Sequence, residues 1–162
     1  MKNLNIVIRK INLYDLIEMH QDENSSFHKN YSQGLYSYLD LAKYAKGTFQ
    51  VAIDITSNLI VGIIQYDKNN YRENDSYSML FVSVIPEYQS QGWASKLIEA
   101  MIIDLIGKTK NIELSHYSSE GEKLIPTTHK LSWKYKDKIN IFHRLLGQEY
   151  INAINPLKLM YA

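Results

Sequence analysis

The chain of 162 residues contains no cysteine. That removes disulfides, thiolate metal ligands and a cysteine nucleophile together. No apolar run reaches transmembrane length, and the N-terminus has no signal-peptide pattern, so the sequence reads as cytoplasmic with no membrane partner. A charge bias is missing too. The formal net charge is +1, and no global field points to nucleic acid or a lipid surface. The five histidines, at 20, 28, 116, 129 and 143, show no metal-ligand spacing, so no metal is expected. Ser115-His116 is no catalytic pair, because adjacent strand residues point to opposite faces. Gly107-Lys108-Thr109 is no P-loop tail: position 102 holds Ile102, and the tripeptide follows a helical pattern instead of opening one.

What the chain does have is 45% hydrophobic and 22% charged residues, the composition of a globular protein. Its length gives one domain over 1–162 with one sizeable core. The organising stretch runs from Ser76 to Ile106. Tyr77 to Ile85 is free of Gly and Pro and rich in β-branched and aromatic residues, which predicts a strand. Pro86 stops it, having no N–H for a ladder. The loop Glu87-Tyr88-Gln89-Ser90-Gln91-Gly92 follows. Trp93, Ala94, Leu97, Ile98, Met101, Ile102 and Leu105 then form the stripe of a helix with one face in a core. The first turn of such a helix offers unpaired N–H groups and partial positive charge, which suits an anion. The small residues Gly92 and Ala94 leave room for a diphosphate at the main chain.

The stretch Val84-x-Pro86-Glu87-Tyr88-Gln89-x-Gln91-Gly92-x-Ala94-x-Lys96-Leu97-Ile98 resembles the coenzyme A motif of GNAT-type N-acetyltransferases, Gln/Arg-x-x-Gly-x-Gly/Ala, set between a fourth strand and a third helix. The resemblance implies an α/β (α+β) fold: a mixed, mostly antiparallel sheet with splayed parallel strands 4 and 5, flanked by helices. It implies an acyltransferase that moves an acetyl group from acetyl-CoA, its cosubstrate, to a primary amine of a protein or small molecule. It assigns Gln89, Ser90, Gln91, Gly92, Trp93, Ala94 and Ser95 to the diphosphate, and the backbone of Val82, Ser83 and Val84 to the pantetheine arm. Family members often carry an Asn after the fifth strand and a Tyr about seven residues on that protonates the leaving thiolate. This chain has Ser118, Ser119 and Glu120, then Thr127. The candidates for acid and base are Tyr117, Ser119 and His116, with Ser118, Ser83, His129 and Tyr135 behind them. Core, cap and surface roles compete for each.

In chain order, Leu4 to Arg9 predicts a first strand. Asn12 caps a helix with Asp15 near its positive end, and a second helix covers 33–46. Thr48 to Ile55 alternates, with Phe49, Val51, Ile53 and Ile55 inward, and Leu59 to Tyr66 pairs with it in a hairpin. Asn111 to Tyr117 reads as a fifth strand. Pro126 permits a helix there only in its first turn, with Ser119 or Thr128 as caps. Trp133, Tyr135, Ile139, Ile141 and Phe142 read as core. The closing strands are set at 148–154 and 157–161, with a helix as the alternative for 138–146.

From Lys123 to Arg144 there are six Lys or Arg and one Asp. A solvated basic face is the simplest account; the adenosine 3′-phosphate, an acidic protein or a nucleic acid would use the same charge. Two further readings stay open: a coenzyme A-binding regulatory or host-interaction module with weak catalysis, and a nucleic-acid binder. A homodimer also stays open.

Overall fold

The computed structural model describes residues 5–12, 14–16, 18, 47–69, 75–116, 124–145 and 150–152, with backbone alone for 115–116, 143–145 and 150–152. Among these, seven strands form one sheet in sequential order. They are β1 (Ile6–Ile11), β2 (Thr48–Asp54), β3 (Leu59–Lys68), β4 (Ser76–Val84), β5 (Asn111–His116), β6 (Asn140–Leu145) and β7 (Tyr150–Asn152). Helix α1 (Trp93–Leu105) links β4 to β5, and α2 (Ile125–Lys134) links β5 to β6. Those two pairs are parallel, as a crossover helix allows; the other four neighbouring pairs are antiparallel. No described helix is long and apolar enough to cross a membrane.

The chain enters its first helical turn as expected. Asn12 Oδ1 accepts from the Asp15 amide at 2.8 Å, and the Asn12 side chain donates back to Asp15 Oδ2 at 3.0 Å. Residues 14–16 are helical, and Leu16 is fully buried. The expected helix over 33–46 and the strand over 157–161 lie outside the described residues.

β2 and β3 form the deepest layer, and here the simple alternation fails. Phe49, Gln50, Val51, Ala52 and Ile53 are all buried, so β2 is covered on both faces. Ile55, expected inward, lies beyond the strand and is exposed. Gln50 is buried because α1 covers it: its Nε2 donates to Tyr66 Oη at 2.8 Å and to the Ala100 carbonyl at 3.3 Å. At Gly62 a Cβ would come within 2.9 Å of Leu97 Cδ1, so the absent side chain lets α1 approach β3 closely.

Asp104 on α1 ties three elements together. It accepts from Tyr66 Oη at 2.7 Å on β3, pairs with Lys10 at 2.6 Å on β1, and pairs with Lys108 at 2.8 Å beyond its own helix. Burial raises the Tyr66 phenol well above its ordinary value, so it stays protonated and donates. Burial alone would raise the Asp104 carboxyl too. The hydrogen bonds from Lys10, Lys108 and Tyr66 outweigh that and hold it below the usual carboxylate range.

The last third differs most from expectation. Residues 140–145 are strand, not helix, and the helix lies earlier, at Ile125–Lys134. Pro126 sits in its first turn, where the missing N–H costs nothing. Leu124 is its cap residue, and Thr128 lies inside, donating to the Ile125 carbonyl at 2.9 Å. Ile139 and Ile141 are core as expected, Tyr135 and Phe142 are partly buried, and Trp133 is half-exposed with Lys136 Nζ 3.8 Å from its ring centre.

Replacing Tyr66 by Phe should cost about 1–3 kcal/mol in urea unfolding, because it leaves the Gln50 amide and the Asp104 carboxylate short of a partner. The Asp104 contribution has a definite pH sign. Its folded pKa is depressed, so its stabilisation is present above the unfolded value of about 3.9 and lost as pH falls through the folded value. Asp104→Asn should therefore flatten the acid limb of the stability curve, measured by urea midpoints between about pH 5 and pH 2.

Candidate active site

A central strand is normally the best-covered part of a sheet. β4 is not: from Tyr77 to Val84 every residue is partly or fully exposed, and Leu80 is 47% exposed. The reason lies in the pairing. β4 pairs with β5 at Ser76–Asn111, Tyr77–Ile112 and Ser78–Glu113, and the ladder stops there. On its other side β5 pairs with β6 along its whole length, from Asn111 to His116. Opposite Tyr66 the register of β4 against β3 also shifts, leaving Leu80 as an extra residue. The two parallel strands splay, and a gap opens along the C-terminal half of β4.

Above that gap sits the loop. Pro86–Tyr88 makes one 3₁₀ turn, which ends the strand. The Gln89 side chain donates to the Val84 carbonyl at 2.9 Å, and the Gln91 side chain donates to the Glu87 carbonyl at 3.1 Å, so the loop is tied to the strand and to itself. Ser90 and Gly92 both have positive φ, at 61° and 88°. Nothing lies within 4 Å of a Cβ built on Gly92. Glycine is demanded there by the backbone angle, and the space beside it is open.

The helical ladder of α1 begins with the Lys96 amide donating to the Gly92 carbonyl at 3.0 Å. The amides of Trp93, Ala94 and Ser95 precede it and have no place in that ladder. They border a cleft of about 690 Å³ lined by Val82, Ser83, Val84, Tyr88, Gln89, Ser90, Gly92, Trp93, Ala94 and Ser95, with Leu124 and Thr127 from the start of α2. Trp93 is 4% exposed, its indole N–H has no hydrogen-bond partner among the described residues, and Lys96 Nζ lies 4.3 Å from its ring centre. The arrangement can receive an elongated ligand with an anionic group at the helix end and an arm along β4.

Of the expected binding residues, Val82, Ser83, Val84, Gln89, Ser90, Gly92, Trp93, Ala94 and Ser95 are brought together around this cleft; Gln91 does not line it. The Gln89 amide is spent on the Pro86 carbonyl, so Gln89 shapes the loop instead of offering a main-chain donor. Tyr88, Leu124 and Thr127 complete the wall. Tyr88 lay inside the motif as an unassigned position. Leu124 carried no local signal, because it is placed by the docking of α2. His116 ends β5, while Tyr117, Ser118 and Ser119 lie outside the described residues. His129 is buried within α2, and Tyr135 is at its end; neither lines the cleft. Part of the basic stretch is engaged elsewhere, since Lys134 pairs with Glu99 at 3.2 Å.

The family model described as "Acetyltransferase (GNAT) family" matches residues 14–119. The chain belongs to the GNAT acetyltransferase family. Solved structures place the fold in the same group. A GNAT family acetyltransferase from Brucella melitensis in complex with acetyl-CoA is 22% identical, with a TM-score of 0.50 over 74% of this chain and 80% of that one. Arabidopsis thaliana NAA60 in complex with a bisubstrate analogue is 18% identical, with a TM-score of 0.55 over 78% and 82%. An aminoglycoside acetyltransferase, meta-AAC0020, from an uncultured soil metagenomic sample, in complex with sisomicin, is 16% identical, with a TM-score of 0.56 over 78% and 86%. At these identities the likeness is one of fold. A search of curated proteins found no match.

The loop of this GNAT chain should depend on its side-chain tie to the strand. Gln89→Ala should lower stability by about 0.5–1.5 kcal/mol and speed hydrogen exchange at residues 85–92 ahead of the rest of the sheet, read by mass spectrometry.

Proposed function

We propose that the protein transfers an acetyl group from acetyl-CoA to a primary amine. The observation that carries this reading is the open N-terminus of α1 standing over the gap where β4 leaves β5. The donor set fits the cosubstrate. The amides of Trp93, Ala94 and Ser95, with the helix dipole behind them, would hold the diphosphate. Main-chain groups of Val82 and Val84, which face away from β3, would hold the pantetheine amides, and Trp93 and Leu124 would supply apolar wall. Acetyl-CoA would bring the acetyl group already activated as a thioester.

The protein's own contribution is then position and electrostatics. An N–H of the Val82 to Val84 segment would donate to the thioester carbonyl oxygen as negative charge builds on it. The amine must lose a proton before it attacks, and a free thiol titrates near 8.5, so modest proton help is enough at the sulfur. Thr127 lines the cleft and stands where many family members carry Tyr, which makes its hydroxyl a candidate among the described residues. Tyr117, Ser119 and His116 remain candidates for acid or base. That Thr127 is a weak acid also favours the second reading, a coenzyme A-binding module of low activity. Turnover with a panel of amines separates the two.

Titration calorimetry with acetyl-CoA, paired with thermal melting, is the direct test. Micromolar affinity with a raised melting temperature is expected; no binding at millimolar ligand would overturn the assignment of the cleft. Gly92 offers a sharper probe. Gly92→Asn and Gly92→Asp have nearly the same shape, and both side chains tolerate the left-handed region. Gly92→Asp should bind acetyl-CoA at least about tenfold more weakly than Gly92→Asn, a difference of about 1.4 kcal/mol, because it sets a negative charge beside the diphosphate.

A further inference from the structure

Helix α2 turns its largest side chain toward solvent. Its buried side carries Thr128, His129, Leu131 and Ser132. Its exposed side carries Pro126, Lys130, Trp133 and Lys134, which fall on one stripe of the helix. Ser132 is 2% exposed and donates to the His129 carbonyl at 2.8 Å, while its neighbour Trp133 is 50% exposed. Burying an indole stabilises a fold far more than burying a serine. Packing therefore does not account for the place of Trp133.

The surroundings of the ring are cationic. Lys136 Nζ stands 3.8 Å from its centre, Lys130 lies one turn earlier on the same stripe, and Lys138 is exposed just beyond. These three enter no ion pair among the described residues. Lys134 is engaged differently: it pairs with Glu99 of α1 at 3.2 Å, which ties the stripe to that helix. Between 126 and 138 the chain has four lysines and one acid, Asp137, although the whole protein is close to neutral. The patch is also separate from the cleft. α2 meets the cleft through Leu124 and Thr127 at its start, and Trp133 stands about 9 Å further along the helix axis than Thr127.

An exposed flat ring set among ammonium groups suits a polymer of bases and phosphates. The ring offers a face on which any base can stack, and each lysine can neutralise a phosphate. An acidic peptide would use the lysines but has no need of the ring. A duplex keeps its bases stacked inside, so only a single strand can use both features. We propose that the solvent stripe of α2 binds single-stranded nucleic acid, with Trp133 as the stacking platform and Lys130, Lys136 and Lys138 as phosphate contacts. This second surface does not rest on the acetyltransferase reading.

The test is fluorescence anisotropy of a labelled twelve-nucleotide DNA single strand of mixed sequence, without acetyl-CoA. Micromolar binding is expected at about 50 mM salt, with log affinity falling against log salt at a slope of about −2, from three phosphate contacts. The blunt duplex of the same sequence should bind at least fivefold more weakly. Trp133→Leu should weaken single-strand binding at least fivefold with melting temperature and acetyl-CoA affinity unchanged, and Trp133→Tyr should recover part of the loss. Lys130→Gln should make the salt slope shallower by about 0.7. The inference is overturned by absence of binding at low salt, by equal affinity for the duplex, or by an unchanged Trp133→Leu variant. A twelve-residue glutamate peptide that competes as well as the single strand also overturns it, because the patch is then a surface for acidic peptides.

Discussion

The separation of β4 from β5 after Ser78–Glu113 is the constraint on which the rest depends. A parallel pair gains ladder bonds at every residue it keeps, so abandoning the pairing has a cost. Three features offset it. α1 packs across β2, β3 and β4 and fixes where the chain leaves the sheet. β5 stays anchored by its far edge, which pairs with β6 along its full length. The extra residue at Leu80 turns β4 relative to β3, which lets it diverge while its other edge stays paired. The gap is therefore built into the sheet and does not need a ligand to open it.

The side of the sheet that does not open is tied down by polar contacts. Tyr66, Gln50 and Asp104 link three elements through bonds of 2.7–3.3 Å, and Lys10 extends the link to β1. The lysines are about half-exposed, so their pairing alone contributes little. What matters is that a buried phenol and a largely buried carboxylate satisfy each other, since either left unpaired would be costly. Asn69 does the same at the vertex, where its amide nitrogen reaches Ser76 Oγ at 3.0 Å and Glu113 Oε2 at 3.4 Å. A site built on such a base can hold ligand groups by main-chain donors, which need rigidity more than particular side chains.

That reliance on the main chain explains what was legible in the sequence. The helix Trp93–Leu105 and the proline stop were readable because both are local: a 3.6-residue apolar stripe and a residue without an N–H. Gly92 was readable as well, although its reason is a positive φ more than close quarters. β2 misled because alternation assumes one wet face, and here both are covered. Residues 140–145 stayed open because a short apolar run fits helix or strand alike, and only its place beside β5 decides. Leu124 and the Asn69–Glu113 cluster were invisible for a deeper reason. They join segments far apart in the chain, at contacts that no local pattern encodes.

The same division bears on specificity. The family model matches residues 14–119, and the residues from Val82 to Ser95 proposed to hold the donor lie in one stretch inside that span. Structural relatives include an aminoglycoside acetyltransferase captured with sisomicin and a protein captured with a bisubstrate analogue, so the shared fold does not fix the acceptor. In this chain the two faces of β4 differ: Val82 and Val84 share the α1 side, while Ser78 lies on the other side with Glu113. A substitution at Ser78 leaves the residues that line the cleft untouched, because what it shares with them is the backbone of β4 itself.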